Sequence, residues 1–292
     1  MSRSTTGYEE DLPALASRAY ELALELCGAC ANYHIYWPAR RAAGIVGGAD
    51  ADRVAVVAQV AAIAGRNKRG SSRKFELLIA GAADSGILSA CVEGLFRAGG
   101  RALIDSIRFT IVDLCATPLQ LCSDYARMHG LDLDTVRADL ASYLPDRPLD
   151  LVVAHSVLAF MPVSERAGLL DRMAGWLGKD GEILLSANMA RRSRAERDRR
   201  FEDEIEPRIR AAIAEGALAL REDEAAFLAR CRNRHDGIRY DRSGFETISH
   251  FRCFVEQAGL QAGHVERVNP GAGANGGSRP RLVAVLTRPS GG

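Results

Sequence analysis

The segment Phe75-Glu-Leu-Leu-Ile-Ala-Gly-Ala-Ala-Asp-Ser-Gly86 runs an apolar strand into a turn of small residues, and Thr110-Ile-Val-Asp113 ends a second apolar run on a carboxylate. Strand, tight turn and helix, then a strand tipped by an acid, make a unit that cradles a nucleotide. The turn lets backbone N–H groups and a helix N-terminus approach the ligand, and the acid accepts hydrogen bonds from ribose hydroxyls. Gly81-x-Ala83-x-x-Gly86 nearly fits the dinucleotide pattern, but there the acid lies about 20 residues on. Asp113 is further away, which leans away from NAD toward another adenosine-containing ligand.

Downstream, Leu149-Asp-Leu-Val-Val-Ala-His155 is an apolar strand, Val163 to Leu177 has helical apolar spacing, and Gly178-Lys-Asp-Gly181 turns into Glu182-Ile-Leu-Leu-Ser186. This order resembles class I S-adenosylmethionine-dependent methyltransferases of the small-molecule type, with a degenerate glycine motif. Ala83 stands where the family has its second glycine, and Ile79 where an acid commonly precedes the first. The resemblance implies S-adenosyl-L-methionine as cofactor, held by Gly81, Ala82, Ala83, Asp84 and Ser85 in the turn. It implies Asp113 and Leu114 at the ribose, Asp139 and Leu140 at the adenine, and His155 and Ser156 where cofactor meets acceptor.

Ser243 to Leu260 reads as a helix, and Gln261 to Val268 and Arg281 to Thr287 read as two strands, like the antiparallel pair that closes the family's sheet. The expected fold is α/β: a Rossmann-like, doubly wound, seven-stranded sheet, mainly parallel with a C-terminal antiparallel hairpin. Residues 75–292 form this domain, with a helical insert at about 190–241; residues 1–74 are an N-terminal helical extension. Within the extension, Leu12 to Asn32 and Asp50 to Ala64 are helical in pattern, with Asp50 or Asp52 as N-cap. Arg66 to Arg73 is a polar linker that lets the extension flank the sheet or lie over the cofactor as a lid.

With 38 basic and 37 acidic residues, no net field draws the chain to nucleic acid, and no apolar run is long enough to span a bilayer. The interleaved acids make Arg191 to Arg200 a solvated helical face with i to i+4 ion pairs; the sharper alternative is a cap helix offering arginines to an anionic acceptor. Seven scattered cysteines and an N-terminus without a signal-peptide core point to the cytoplasm. A homodimer is left open.

Methyl transfer from a sulfonium needs alignment more than acid–base help, so a missing catalytic triad is no objection. His155 is the best-placed base, because imidazole titrates near neutral pH. Tyr33-His-Ile-Tyr-Trp37 ends at Pro38, where a preceding helix should stop. Tyr33 and Trp37 could stack on a flat acceptor, His34 deprotonate it and Arg40 pair with a carboxylate; Tyr240 joins the acceptor-side candidates. Core packing of Tyr36 and Trp37 is the plain alternative. Cys27, Cys30 and His34 share one helical face as a partial metal site, but with no fourth ligand evident no metal is expected. The function expected is methyl transfer to a small-molecule O, N, C or S atom. Aminocarboxypropyl transfer, cyclisation, RNA methylation and a non-catalytic binding protein remain alternatives.

Overall fold

Seven strands form one sheet in the computed structural model, which describes residues 7–45, 50–67, 73–189, 193–238, 244–269 and 280–289. They are β1 (Phe75–Ala80), β2 (Ile107–Asp113), β3 (Leu133–Arg137), β4 (Leu149–His155), β5 (Leu177–Asn188), β6 (Gln261–Val268) and β7 (Arg281–Thr287). Their order is β3-β2-β1-β4-β5-β7-β6, with β1 to β5 parallel and β7 antiparallel to both β5 and β6. This is the Rossmann-like sheet with a reversed C-terminal pair that the resemblance implied. The order switches direction between β1 and β4, and in open α/β sheets that switch opens a crevice at the carboxyl ends of the strands.

Burial explains why β1, β4 and β7 read as nearly unbroken apolar runs. Leu77 and Ile79 join Phe109, Ile111, Leu151 and Val153 under one helical layer, while Leu78 and Ala80 join Val112, Val152 and Ala154 under the other. With both faces covered, the two-residue period carries no polar half. The first layer holds α3 (Arg53–Asn67), α4 (Gly86–Asp105) and α5 (Ala116–His129); the second holds α6 (Val163–Trp176) and α10 (Ile248–Gln257). The glycine quartet expected as a turn before β5 lies inside that strand, where the register with β4 skips between Leu149 and Leu151. A Cβ on Gly181 would lie 2.5 Å from the Leu149 carbonyl oxygen, so the close backbone approach there requires glycine. The helix expected from Ser243 begins at Ile248 instead, because Thr247 caps it by accepting from the His250 N–H at 3.0 Å.

The extension divides between two packing partners. Val56, Val57, Val60 and Ile63 of α3 belong to the sheet's core, so this helix is a flank. Helices α1 (Leu12–Leu26) and α2 (Ala31–Ala42) pack instead with the insert, which comprises α7 (Arg194–Arg200), a π-helical turn (Phe201–Ile205), α8 (Glu206–Ala214) and α9 (Glu224–Arg232). Tyr20, Ile35, Tyr36, Phe201, Ile209 and Phe227 form the core of this cap. The single helix expected over Leu12 to Asn32 is broken at residues 27–30, where Cys27 turns extended at ψ 146°. Pro38, expected to end a helix, lies inside α2. Interior proline costs roughly 3 kcal/mol, and the burial of Ile35, Tyr36 and Ala39 around it offsets that cost. Arg200–Glu204 and Arg210–Glu206 are the expected i to i+4 ion pairs of the insert.

Gly94 sets how closely α3 seats on α4: a Cβ there would lie 2.8 Å from Val57 O and from Val60 Cβ. Gly94→Ala should therefore destabilise by about 1–3 kcal/mol through overpacking. Urea unfolding monitored by circular dichroism should show a lower midpoint at unchanged slope; an unchanged midpoint would mean that α3 is not seated as described.

Candidate active site

Asp113, at the tip of β2, buckles two loops together. Its Oδ2 accepts the Ala82 N–H at 2.9 Å and its Oδ1 the Cys115 N–H at 2.7 Å, while the Gly81 N–H donates to Val112 O at 2.8 Å. Gly81 takes φ +78°, open to glycine at no steric cost, and turns the chain into α4. Burial raises the Asp113 carboxyl's pKa, against the pull of the two amides. A carboxylate held by backbone donors at a cavity wall keeps lone pairs for further hydroxyl donors, so the residues present fit a ribose.

The ends of β4, β5 and β7 carry a buried ionic knot. Asp52, fully buried, accepts from Arg281 Nε at 2.6 Å and from the Ser186 hydroxyl, and its Oδ1 lies 3.0 Å from His155 Nε2. Burial pushes the Asp52 carboxyl up, but Arg281 and then His155 reverse this and hold it well below the usual range. His155 Nε2 thus lies between this acceptor and the donor Arg281 Nη2, 3.2 Å away; with its proton turned to the carboxylate, the Nδ1 lone pair is the one left to act as a base. Arg281 also donates to Ser156 Oγ at 2.7 Å and to Asn188 Oδ1 at 2.7 Å. Ser156 has φ +61°, the one non-glycine positive φ among the described residues, and strain of this kind is found where a site over-determines its backbone.

Between this sheet edge and the cap lies a cavity of about 760 Å³. From the sheet side Gly81, Ala82, Ala83, Asp84, Asp113 and Leu114 line it, with Asp139, Leu140, His155 and Ser156. From the cap side come Tyr33, Trp37, Arg40, Arg197, Arg200 and Arg234. Tyr33 meets Phe160 edge-on at 5.3 Å, and Arg40 stands 5.2 Å over the Trp37 ring. The Trp37 indole N–H is buried without a hydrogen-bond partner. Burial lowers the pKa of the Arg40 guanidinium, and nearby Arg200 and Arg234 lower it further.

The structure thus brings together most of the residues singled out in the sequence. Ser85 is off the cavity lining: its hydroxyl bonds Glu10, and Asp84 accepts the Gly86 N–H at 2.7 Å and Arg41 at 3.3 Å. Arg41 reaches Glu10 at 2.5 Å and Asp50 at 3.0 Å as well, so this buried group locks α2 to the glycine turn. Ile79 is fully buried in β1, where an acid would have no partner. Tyr240 lies outside the described residues. Asp52 occupies the N-cap position of α3, its carbonyl accepting from Val56 N–H at 2.9 Å, but its carboxylate serves the knot. Cys27 and Cys30 lie in the α1–α2 break and not on a shared helical face, and the fourth ligand-type group missing from the sequence reading is Cys115, beside them. His34, expected as an acceptor-side base, is 4% exposed, lines the same wall and has Nδ1 3.1 Å from Ala83 O. Asp52, Arg281 and Cys115 escaped the sequence reading; two residues after Asp113, Cys115 could have been sought as the fourth partner of Cys-x-x-Cys-x-x-x-His.

No family model and no curated protein matches this sequence. Among solved structures, the chain is similar to a mitomycin 7-O-methyltransferase at 13% identity and TM-score 0.45, over 78% of this chain and 53% of that one. It is similar to the Burkholderia thailandensis 1,6-didemethyltoxoflavin-N1-methyltransferase at 15% identity and TM-score 0.48, over 80% of this chain and 78% of that one. An O-methyltransferase family 2 protein from Planctomyces limnophilus aligns at 16% identity and TM-score 0.47, over 94% of this chain and 61% of that one. The chain thus spans about half the length of the first of these, and the likeness goes no further than chain path. Among the described residues, no helix is long and apolar enough to cross a membrane.

Because the Asp52 pKa is depressed on folding, its contribution to stability is present above the unfolded value of about 3.9 and is lost as pH falls through the folded value. Asp52→Asn should cost about 3–5 kcal/mol at neutral pH, as when one partner of a buried pair is removed. The gap to wild type in denaturant titrations should narrow as pH falls below ~4; a gap that widens below that pH would contradict the knot.

Proposed function

We propose that this chain transfers a methyl group from S-adenosylmethionine to a small aromatic acceptor carrying an anionic group. The observation that supports this most is one cavity with two unlike walls: a glycine turn buckled to Asp113 on one side, and Tyr33, Trp37, Phe160 and arginines on the other. When bound, the cofactor supplies a sulfonium-activated methyl group. Gly81 and Ala82 would offer backbone to its amino acid part, Asp113 would accept from the ribose, and Leu114, Asp139 and Leu140 would flank the adenine. Leu114 is 65% exposed yet lines the cavity, as a residue waiting for a flat ligand would be.

On the acceptor side, Tyr33, Trp37 and Phe160 give edges and faces for an aromatic ring. Arg40, Arg200 and Arg234 bring positive charge to one side of the cavity, Arg200 with Glu204 as a partner, and that charge suits an anionic group on the acceptor. The Trp37 N–H is a further donor to such a group. His155, oriented by Asp52 through Nε2, can take a proton from the acceptor at Nδ1, and the cap excludes water while reactants are aligned. The α1–α2 hairpin and the insert are the lid in this account, α3 being part of the sheet domain's flank. The balanced charge favours a small molecule over nucleic acid.

Asp113→Ala should weaken S-adenosylhomocysteine binding by about 1.5–3 kcal/mol, the worth of hydrogen bonds to a charged group. His155→Ala should slow turnover by about 10²–10⁴-fold and leave that binding unchanged. Product mass after incubation with aromatic carboxylates, phenols and amines decides the reaction: a gain of one methylene unit supports it. Cofactor binding with a heavier transferred group would replace it by non-methyl chemistry.

A further inference from the structure

Four ligand-type side chains from three separate parts of the chain converge beside the cavity, and the mechanism leaves their chemistry unused. Cys27 and Cys30 lie in the link between α1 and α2, His34 in the first turn of α2, and Cys115 on the loop after β2. One ligand atom from each lies within 4.8 Å of all the others. Cys115 Sγ is 3.3 Å from Cys27 Sγ and 3.5 Å from Cys30 Sγ. These separations far exceed a covalent S–S bond of about 2.05 Å. They approach the ~3.8 Å between sulfurs that tetrahedral Zn–S bonds of about 2.3 Å impose.

We propose that Cys27, Cys30, His34 and Cys115 form a tetrahedral site for a thiolate-preferring divalent cation of the zinc class. The donor set is soft and nitrogen-completed, and Cys-x-x-Cys is the spacing with which a tight turn presents two sulfurs to one ion. The surroundings are those of a ligating histidine: the Nδ1–H donates to Ala83 O at 3.1 Å, which fixes the tautomer and leaves the Nε2 lone pair for the metal. Thr117 Oγ1, 2.9 Å from Cys27 Sγ, can donate to that sulfur as a thiolate. His34 and Cys115 are buried and the other two half-buried, so the charge of the thiolates calls for a cation.

Four protein ligands close the coordination sphere, so the ion would be structural, with no position open to substrate. Its ligands fasten the α1–α2 hairpin to the loop after Asp113, and through Ala83 to the glycine turn. The same clamp accounts for the helix break at residues 27–30, where the sequence otherwise favours continuous helix. It stands independently of the methyl-transfer reading, because it concerns only these side chains.

The test uses the full chain, purified under reducing conditions with added zinc and then dialysed. Elemental analysis should find one zinc per chain. Cobalt(II) exchanged into the wild-type protein should give thiolate-to-cobalt charge-transfer absorption in the near ultraviolet and tetrahedral ligand-field bands in the visible. Cys115→Ser should weaken zinc in a chromophoric chelator competition by at least roughly 100-fold, more than loss of a ligand's hydrogen-bond partner brings. If that variant fails to fold, the cobalt spectrum of the wild type decides alone. Substoichiometric zinc with no charge-transfer band, or undiminished zinc in Cys115→Ser, would overturn the proposal. So would a Cys27–Cys115 disulfide found by peptide mapping of the protein as purified, alkylated without further reduction.

Discussion

The carboxylate of Asp52 is the constraint on which the arrangement of this molecule turns. It lies just before α3, and by bonding Arg281 of β7, Ser186 of β5 and His155 of β4 it gathers three strand ends under one charge. Taking ions out of water costs several kcal/mol each, and only near-complete pairing repays it. Here all the partners sit at the edge where parallel strands end, so the pairing fixes that edge. It aims His155 at the cavity and fastens the N-terminal segment to the sheet that follows it.

A second buried group does the same for the cap. Arg41 gathers Glu10, Asp50 and Asp84, and Asp84 also takes the Gly86 N–H. A Cβ on Gly86 would lie 3.1 Å from the Arg41 guanidinium carbon, so the last glycine of the turn makes room for the cap. Asp113 completes the set by joining the β1 turn to the loop after β2. Three charged centres, the Asp52 and Asp113 carboxylates and the Arg41 guanidinium, thus do the positioning, while the apolar layers supply the bulk of the stability.

What was legible in the sequence follows from this division. Apolar burial is local in its signature, so β1, β4 and β7 stand where their residues place them. Asp113, Asp139 and His155 were legible because each ends or follows such a strand. The helix break at Cys27 and the passage of α2 through Pro38 were not, since the Ala- and Leu-rich pattern carries helix on past Cys27 and proline argues against it at 38, and tertiary packing overrides both. The knot was invisible for another reason: Asp52 and Arg281 are 229 residues apart, and an acid before a helix reads as a cap. Cys115 is 85 residues from Cys30, and its one hint in the sequence is its place two residues after Asp113.

The central claim is that the cavity between the sheet edge and the helical cap takes an adenosyl cofactor through Asp113 and the Gly81 turn. Calorimetric titration of the purified chain with S-adenosylhomocysteine, run beside NAD under the same conditions, tests it most directly. The account requires saturable binding of S-adenosylhomocysteine and none of NAD. Binding of NAD, or silence from both ligands, would contradict it.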